Sequence, residues 1–291
     1  MTLQTQIPQA RHPTARPTAR AIAFETGGPP STADALNDIG DAIGRSDLWF
    51  AMAWQDIRQR YRGSMLGPFW VTINMGLMVF LLSTIYGRLF SAAQRDYMPF
   101  LTLGFLTWQW MSNTVTESTL LFIVANRYIK QMRLPITLFV FRLLARNLIV
   151  LAHNFVVYIV VLLIVGLRPG WVALLAIPGL MLGLICMFWI SMFFGMLSAR
   201  FRDFPQIINS LIQVIFYVTP ILWQPAQLGT RRFILVDYNP FYYFIEIVRS
   251  PLMGHQPPAG FWKVTVLITL AITIFVFPIF RRFRGRVAYW V

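Results

Sequence analysis

Of 291 residues, 57% are hydrophobic and only 12% charged, too few ionic groups to clothe a soluble protein of this length, so the chain is built for a bilayer. The formal charge of +14 is almost wholly arginine, since Lys130 and Lys263 are the only lysines, and in a membrane protein that excess reads first as topology and not as nucleic-acid binding. A single cysteine, Cys186, excludes an intrachain disulfide and thiolate metal chemistry, and His12, His153 and His255 are too scattered to make a metal site.

Residues 1–45 are rich in Pro, Thr, Ala and Arg and contain no apolar stretch long enough for the core of a signal peptide. They read as a disordered cytoplasmic tail, with a short helix over residues 32–43 carrying Asp34, Asp38 and Asp41. From Ser46 to Arg62, Trp49, Phe50, Ala53, Trp54, Ile57 and Tyr61 fall on one side of a helix, and Gln55, Arg58, Gln59 and Arg62 on the other. The segment 46–66 is therefore expected to be an amphipathic interface helix, its aromatic face toward lipid and its arginines toward headgroups and cytosol. Gly67-Pro68 breaks it, and the chain enters the bilayer at Trp70.

Apolar runs follow at roughly 69–90, 99–124, 136–166, 171–197, 207–223 and 260–280, and about 20 residues cross a bilayer. The expected fold is thus an all-α integral membrane protein with six transmembrane helices over residues 67–291. Arg58, Arg60 and Arg62, then Arg127, Lys130 and Arg133, then Arg200 and Arg202, then Arg281, Arg282, Arg284 and Arg286 fall on one side of the membrane. The opposite loops are poorer in basic residues, so both termini are expected in the cytoplasm. The segment 224–259 contains Phe241-Tyr242-Tyr243-Phe244-Ile245, too short to cross and too apolar for water. It is expected to form re-entrant helices between spans five and six, with an interfacial loop held by its aromatics as the alternative.

Glu117 is the acid expected inside a span. With a turn centred near residue 130, equal axial rise sets position 117 opposite position 144, between Arg142 and Arg146. An intramembrane ion pair is the expected arrangement, either as a brace between spans or with a direct role toward cargo or protons. Thr72, Gly76, Val79, Ser83 and Tyr86 make a small or polar stripe along span one that suits either close helix packing or an aqueous path. Neither lysine follows a glycine, so the chain has no phosphate-binding loop of the Walker type and does not hydrolyse ATP by that route.

Five motifs occur in register with these spans: Arg58-Gln59-Arg60-Tyr61-Arg62 leading into Leu66-Gly67-Pro68-Phe69-Trp70; Asn126-Arg127-Tyr128-Ile129-Lys130 with Leu134-Pro135; Arg200-Phe201-Arg202-Asp203; Thr219-Pro220-Ile221; and Asn239-Pro240 with Arg249. Together they resemble the permease subunits of ABC-2 type polysaccharide exporters, which move O-antigen, capsule or teichoic acid precursors. The resemblance covers roughly residues 47 to 290. It implies a non-catalytic permease of the bacterial inner membrane that works as a homodimer with two copies of an ABC ATPase. That partner binds ATP and Mg, so this chain holds no cofactor of its own.

The resemblance further implies that two cytoplasmic turns receive the motor's motion, which makes Tyr128, Ile129, Lys130, Arg133, Arg202 and Asp203 the coupling candidates. Arg58, Arg60, Tyr61 and Arg62 stand where a lipid-pyrophosphate headgroup would arrive, and guanidinium groups grip a diphosphate with paired hydrogen bonds. Attachment to anionic lipid serves those arginines equally well. Trp70, Tyr86, Tyr217 and Trp223 are candidate channel aromatics, able to present rings to the C–H faces of sugars. Asn239, Pro240, Glu246 and Arg249 are the expected periplasmic gate. Two other functions stay open: an exporter of small lipids or drugs, and a membrane enzyme acting on polyprenyl-phosphate sugars, for which acids near the cytoplasmic face are scarce.

Overall fold

A computed structural model gives the fold and describes residues 31–67, 69–90, 93–132, 134–226 and 236–291. The helices, in chain order, are α1 (Thr32–Gly44), α2 (Ser46–Arg60), α3 (Phe69–Leu89), α4 (Gln94–Ser118), α5 (Leu121–Val124) and α6 (Asn126–Gln131). They continue with α7 (Ile136–Val165), α8 (Ala176–Arg200), α9 (Phe204–Val218), α10 (Pro240–Leu252), α11 (Ala259–Phe283) and α12 (Val287–Trp290). Local chemistry explains several boundaries. Ser31 caps α1 by accepting a hydrogen bond from the N–H of Ala33. Gly166 ends α7 in the left-handed region at φ 71°, where a side chain would be strained. Asn239-Pro240 is a capping residue followed by proline at the first helical position, and the Asn239 side chain accepts from the N–H of Phe241.

Four helical segments are long and apolar enough to cross a bilayer: Phe69–Leu89, Thr137–Val165, Gly170–Arg200 and Ala259–Trp290. The protein is thus an all-α, multi-pass membrane protein, and of the six expected spans four meet both criteria. The other two fail for different reasons. The apolar run 99–124 straddles a helix end, because α4 stops at Ser118 and Leu121–Val124 belongs to α5. What remains in α4 is 25 residues long yet carries Arg95, Asp96, Gln109, Asn113 and Glu117. The run 207–223 spills past Thr219 into a turn, which leaves α9 apolar but only 15 residues long, about 22 Å at 1.5 Å per residue.

The polar helix α4 is the hub of the fold, packed against α3, α7, α8, α9 and α10. Several of its buried hydroxyls are satisfied within the helix: Thr102 donates to the carbonyl of Met98 at 2.6 Å and Thr114 to that of Trp110 at 2.7 Å. Such back-bonding lets polar residues sit in a core with no other partner. The core around it holds Trp110, Met111, Phe122, Met187 and Met192, all buried.

Contacts sort the turns into two ends. At the basic end, the Asp38 carboxylate of α1 accepts from the N–H groups of Ile136 and Thr137, Arg284 beyond α11 pairs with Asp34 and Asp38, and Arg60 of α2 reaches Glu117 at the end of α4. At the distal end, Tyr97 near the start of α4 donates to the carbonyl of Leu222 at 2.5 Å, and Tyr158 of α7 donates to that of Leu252 at the end of α10.

The interface helix differs from expectation in what its apolar face meets. Residues Ala53 and Ile57 of α2 are buried and Trp49 stacks on Phe141 of α7 with ring centroids 5.8 Å apart, so this part of the face is turned to protein. Phe50 and Trp54 stay exposed.

Candidate functional site

Where α2 crosses α4 and α7, five ionised side chains form one cluster. Glu117 accepts from Arg60 on one oxygen and from Arg146 and Asn147 on the other, each at 2.8 Å. Asp56 accepts from Nε of Arg142 at 2.8 Å and from Arg146 at 3.1 Å. Arg146 therefore bridges both carboxylates. The expected meeting of Glu117 with Arg146 is present, whereas its meeting with Arg142 is corrected: α2 lies across α7 and places Asp56 in front of Arg142. Equal axial rise considers only α4 and α7 and could not supply that third helix. Three cations face two anions here, and the buried Nε of Arg146 has no hydrogen-bond partner. A cavity of about 260 Å³ opens beside Arg60, Glu117, Arg142 and Arg146. Burial works against the Arg60 charge, but the hydrogen bond and the field of Glu117 outweigh it and raise its pKa.

The cluster continues into the turn expected to couple. The Arg142 guanidinium lies over the Tyr128 ring, 5.8 Å from its centroid, and Tyr128 also meets Phe139 of α7. Ile129 is buried, while Lys130 is exposed. Arg133 lies outside the described residues. The preceding helix α5 is seated tightly on α8: a Cβ added to Gly195 would stand 2.9 Å from the Phe122 ring, so no larger residue fits there without a shift. On the second turn, Arg202 and Asp203 are both exposed, and Asp203 makes no side-chain capping bond to α9. Arg58 and Arg62 are exposed and Tyr61 half-buried; neither arginine has an ion pair among the described residues.

The distal end joins two motifs that the sequence separates by 20 residues. Asn239 donates from its side chain to the Thr219 hydroxyl at 2.8 Å. Arg249, only 1% exposed, donates from Nε to Glu246 at 2.9 Å and from Nη1 to the carbonyl of Pro220 at 3.0 Å. Its guanidinium also lies 3.8 Å from the centroid of the Phe100 ring, in space left by Gly104, where a Cβ would come within 3.1 Å of Arg249. Glu246 further accepts from Ser250 at 2.8 Å. One cation and one anion, with a partner for every nitrogen of the guanidinium and both oxygens of the carboxylate, thus tie the turn after α9 to α10 and α4.

Three of the four candidate channel aromatics gather near this end. Tyr86 and Trp223 border one buried cluster with Tyr97 and Phe100, and Trp223 donates from its indole to the carbonyl of Tyr217 at 3.2 Å. Tyr217 itself is 70% exposed. Trp70 stands apart at the opposite end of α3. The polar stripe on α3 resolves toward helix packing: Val79 and Ser83 are buried, Gly76 faces Val157 and Thr72 donates to the carbonyl of His153. Among the described residues no group of His, Cys, Asp and Glu could hold a metal.

Residues 47–253 match the sequence pattern of the ABC-2 type transporter family. The chain belongs to that family. As an ABC-2 permease it is similar to the O-antigen export system permease protein RfbA of Klebsiella pneumoniae, with 25% identity over 83% of this chain and 94% of the relative. A second Klebsiella pneumoniae protein of that name is 26% identical over the same shares. RfbA of Myxococcus xanthus is 23% identical over 72% of this chain and 82% of the relative.

Two residues of the permease escaped sequence reasoning. Asp56 falls at the edge of the apolar face of α2, seven positions after Trp49, and carries no local signal, since its partners lie 86 and 90 positions away. Asp38 was visible as an acid on a short helix, but its target, the start of α7, was not. A cue did exist, because Pro135 leaves the next N–H groups of α7 without a capping side chain of their own.

Proposed function

We propose that the chain is the transmembrane subunit of an ATP-driven exporter that moves a lipid-linked polysaccharide, O-antigen foremost, from cytoplasm to periplasm. The named relatives support that cargo. Two copies of the permease work with two copies of an ATPase that binds ATP and Mg in the inner membrane. The polar hub α4 and the short α9, lengthened by the turn through Leu222, complete six passes with the four apolar spans. The arginine-rich end faces the cytoplasm with both termini, residues 46–66, helical only as far as Arg60, act as the interface segment, and residues 67–291 form the transmembrane domain. The 13-residue α10, too short to cross and buried against α4 and α8, is the re-entrant limb.

The observation that carries the coupling is an unbroken run of contacts. Tyr128 meets Arg142, Arg142 meets Asp56 on α2, and Arg146 joins Asp56 to Glu117 at the end of α4. A push on α6 from the ATPase is therefore passed to the interface helix and to the central span. Arg202 and Asp203 offer the second contact with the motor. Arg58 and Arg62 receive the pyrophosphate of the cargo, with Arg60 held back by Glu117. Tyr217, Trp223 and Tyr86 guide the glycan toward the distal end, and the Asn239, Pro240, Glu246 and Arg249 assembly holds the gate. Deleting this permease from its host is expected to strip the surface glycan and leave lipid-linked glycan on the cytoplasmic side, and supplying it again restores export only beside an active ATPase. Unchanged surface glycan in the deletion strain overturns the reading.

A further inference from the structure

Among the described residues, the contacts of α9 fall on one side and leave its polar side exposed. Ile208, Ile212, Ile215 and Phe216 point into the protein, and Phe216 meets Trp108 and Phe105 of α4. On the opposite side Gln206, Ser210, Gln213 and Tyr217 are all exposed. Their spacing of four, three and four positions puts them in one line along the helix, about one turn or 5.4 Å apart. Ile207, Leu211 and Val214 form a separate, apolar exposed flank. Ser210 returns its hydroxyl to the carbonyl of Gln206 at 3.1 Å, but a helix at membrane depth does not turn two carboxamides and a phenol toward hydrocarbon when an apolar face is available for that purpose. The line therefore faces water or a polar chain.

From this we infer that Gln206, Ser210, Gln213 and Tyr217 line the export path and hydrogen-bond the hydroxyls of a passing glycan. The chemistry suits a polyhydroxylated, uncharged cargo. Each carboxamide both donates and accepts, so it exchanges partners with successive hydroxyls irrespective of their orientation, and no charge is present to hold the polymer in place. One polar group per turn offers the next partner before the last is released, and Tyr217 at the distal end adds a ring face to its hydroxyl. The inference rests on α9 crossing the bilayer and on glycan as the cargo.

Single-cysteine permeases, made on a Cys186→Ala background and assembled with the ATPase in membrane vesicles, test the placement without reference to cargo. Ser210→Cys and Gln213→Cys are expected to react with a charged, membrane-impermeant thiol reagent at least tenfold faster than Leu211→Cys. Equal protection of all three, or disulfide crosslinking of Gln213→Cys to a second copy with no reaction toward the reagent, overturns the path in favour of a lipid face or a seam between copies. A second arm measures surface glycan per assembled transporter. The double variant Gln206→Leu with Gln213→Leu should fall several-fold, with recovery on Gln→Asn at both positions. Wild-type export by the leucine variant overturns the hydrogen-bonding role. If the thiols are reactive while the wild-type permease moves no glycan, the path stands and the proposed cargo fails.

Discussion

Both ends of the permease bury arginine against carboxylate, but they do so in opposite styles. At the distal end Arg249 is sealed: one cation, one anion, a carbonyl, a ring face and almost no solvent. At the basic end three arginines share two carboxylates, Arg60 keeps 48% of its side chain exposed, one buried N–H has no partner and a cavity adjoins the group. A closed pair resists rearrangement because breaking it strands a charge in a poor solvent. An open cluster with spare donors and spare room can exchange partners at small cost. The first arrangement suits an anchor and the second suits the moving joint proposed above.

The sharpest way to break this contrast is to remove the anchor. Arg249→Ala leaves the Glu246 carboxylate, 17% exposed, without its counter-ion and should cost about 3 kcal/mol, seen as loss of folded permease after detergent extraction. Arg249→Met combined with Glu246→Met restores apolar packing and should recover much of the yield. Wild-type yield from Arg249→Ala would show that the pair is no anchor. At the joint, Glu117→Ala frees Arg60 and Arg146 together. Arg60 can turn to water and Arg146 keeps Asp56, so the loss should be nearer about 2 kcal/mol, read as a lower melting temperature. A loss as large as that for Arg249 would erase the distinction between the two ends.

The contact between Tyr128 and Arg142 tests the joint as a transmitter and not as a brace. Tyr128→Ala removes a cation–π interaction of about 0.5–1 kcal/mol, which corresponds to a roughly two- to fivefold fall in glycan exported per ATP hydrolysed. Tyr128→Phe keeps the ring and should export nearly as well as wild type. If the alanine variant loses folded protein in proportion to export, the ring serves only to pack α6 onto α7.

The same contrast explains what was legible in the sequence. Features set by local chemistry could be read: the apolar lengths of α3, α7, α8 and α11, the start of α10 at Asn239-Pro240, and the meeting of Glu117 with Arg146 across two antiparallel helices. Features set by a third element could not. Axial rise alone pairs Arg142 with Glu117, because the position of α2, and with it Asp56, follows from packing. Hydropathy continues across Ser118 and Thr219 although α4 and α9 stop there, so it cannot mark the ends of these two helices. The buried state of Arg249 also needed the fold, since it depends on Gly104 and Phe100 in α4.

Asp38 gives the smallest and most discriminating test, because it serves the basic end in two separable ways. Its carboxylate accepts from the N–H groups of Ile136 and Thr137 and from the Thr137 hydroxyl at 2.7 Å, filling donors that the start of α7 leaves open. It also stands 3.7 Å from Arg284, a looser contact that brings the C-terminal segment to α1. Asp38→Asn keeps an acceptor for the helix and loses only the charge, so it should cost a few tenths of a kcal/mol, whereas Asp38→Ala loses the cap as well and should cost about 1 kcal/mol. Thermal melting of the two purified variants separates the contributions. If asparagine and alanine destabilise equally, the carboxylate acts through its charge on Arg284 and on the dipole of α7, and the capping hydrogen bonds contribute nothing. If only alanine destabilises, α1 is held to the bundle by the cap, and the contact with Arg284 follows from that docking instead of causing it.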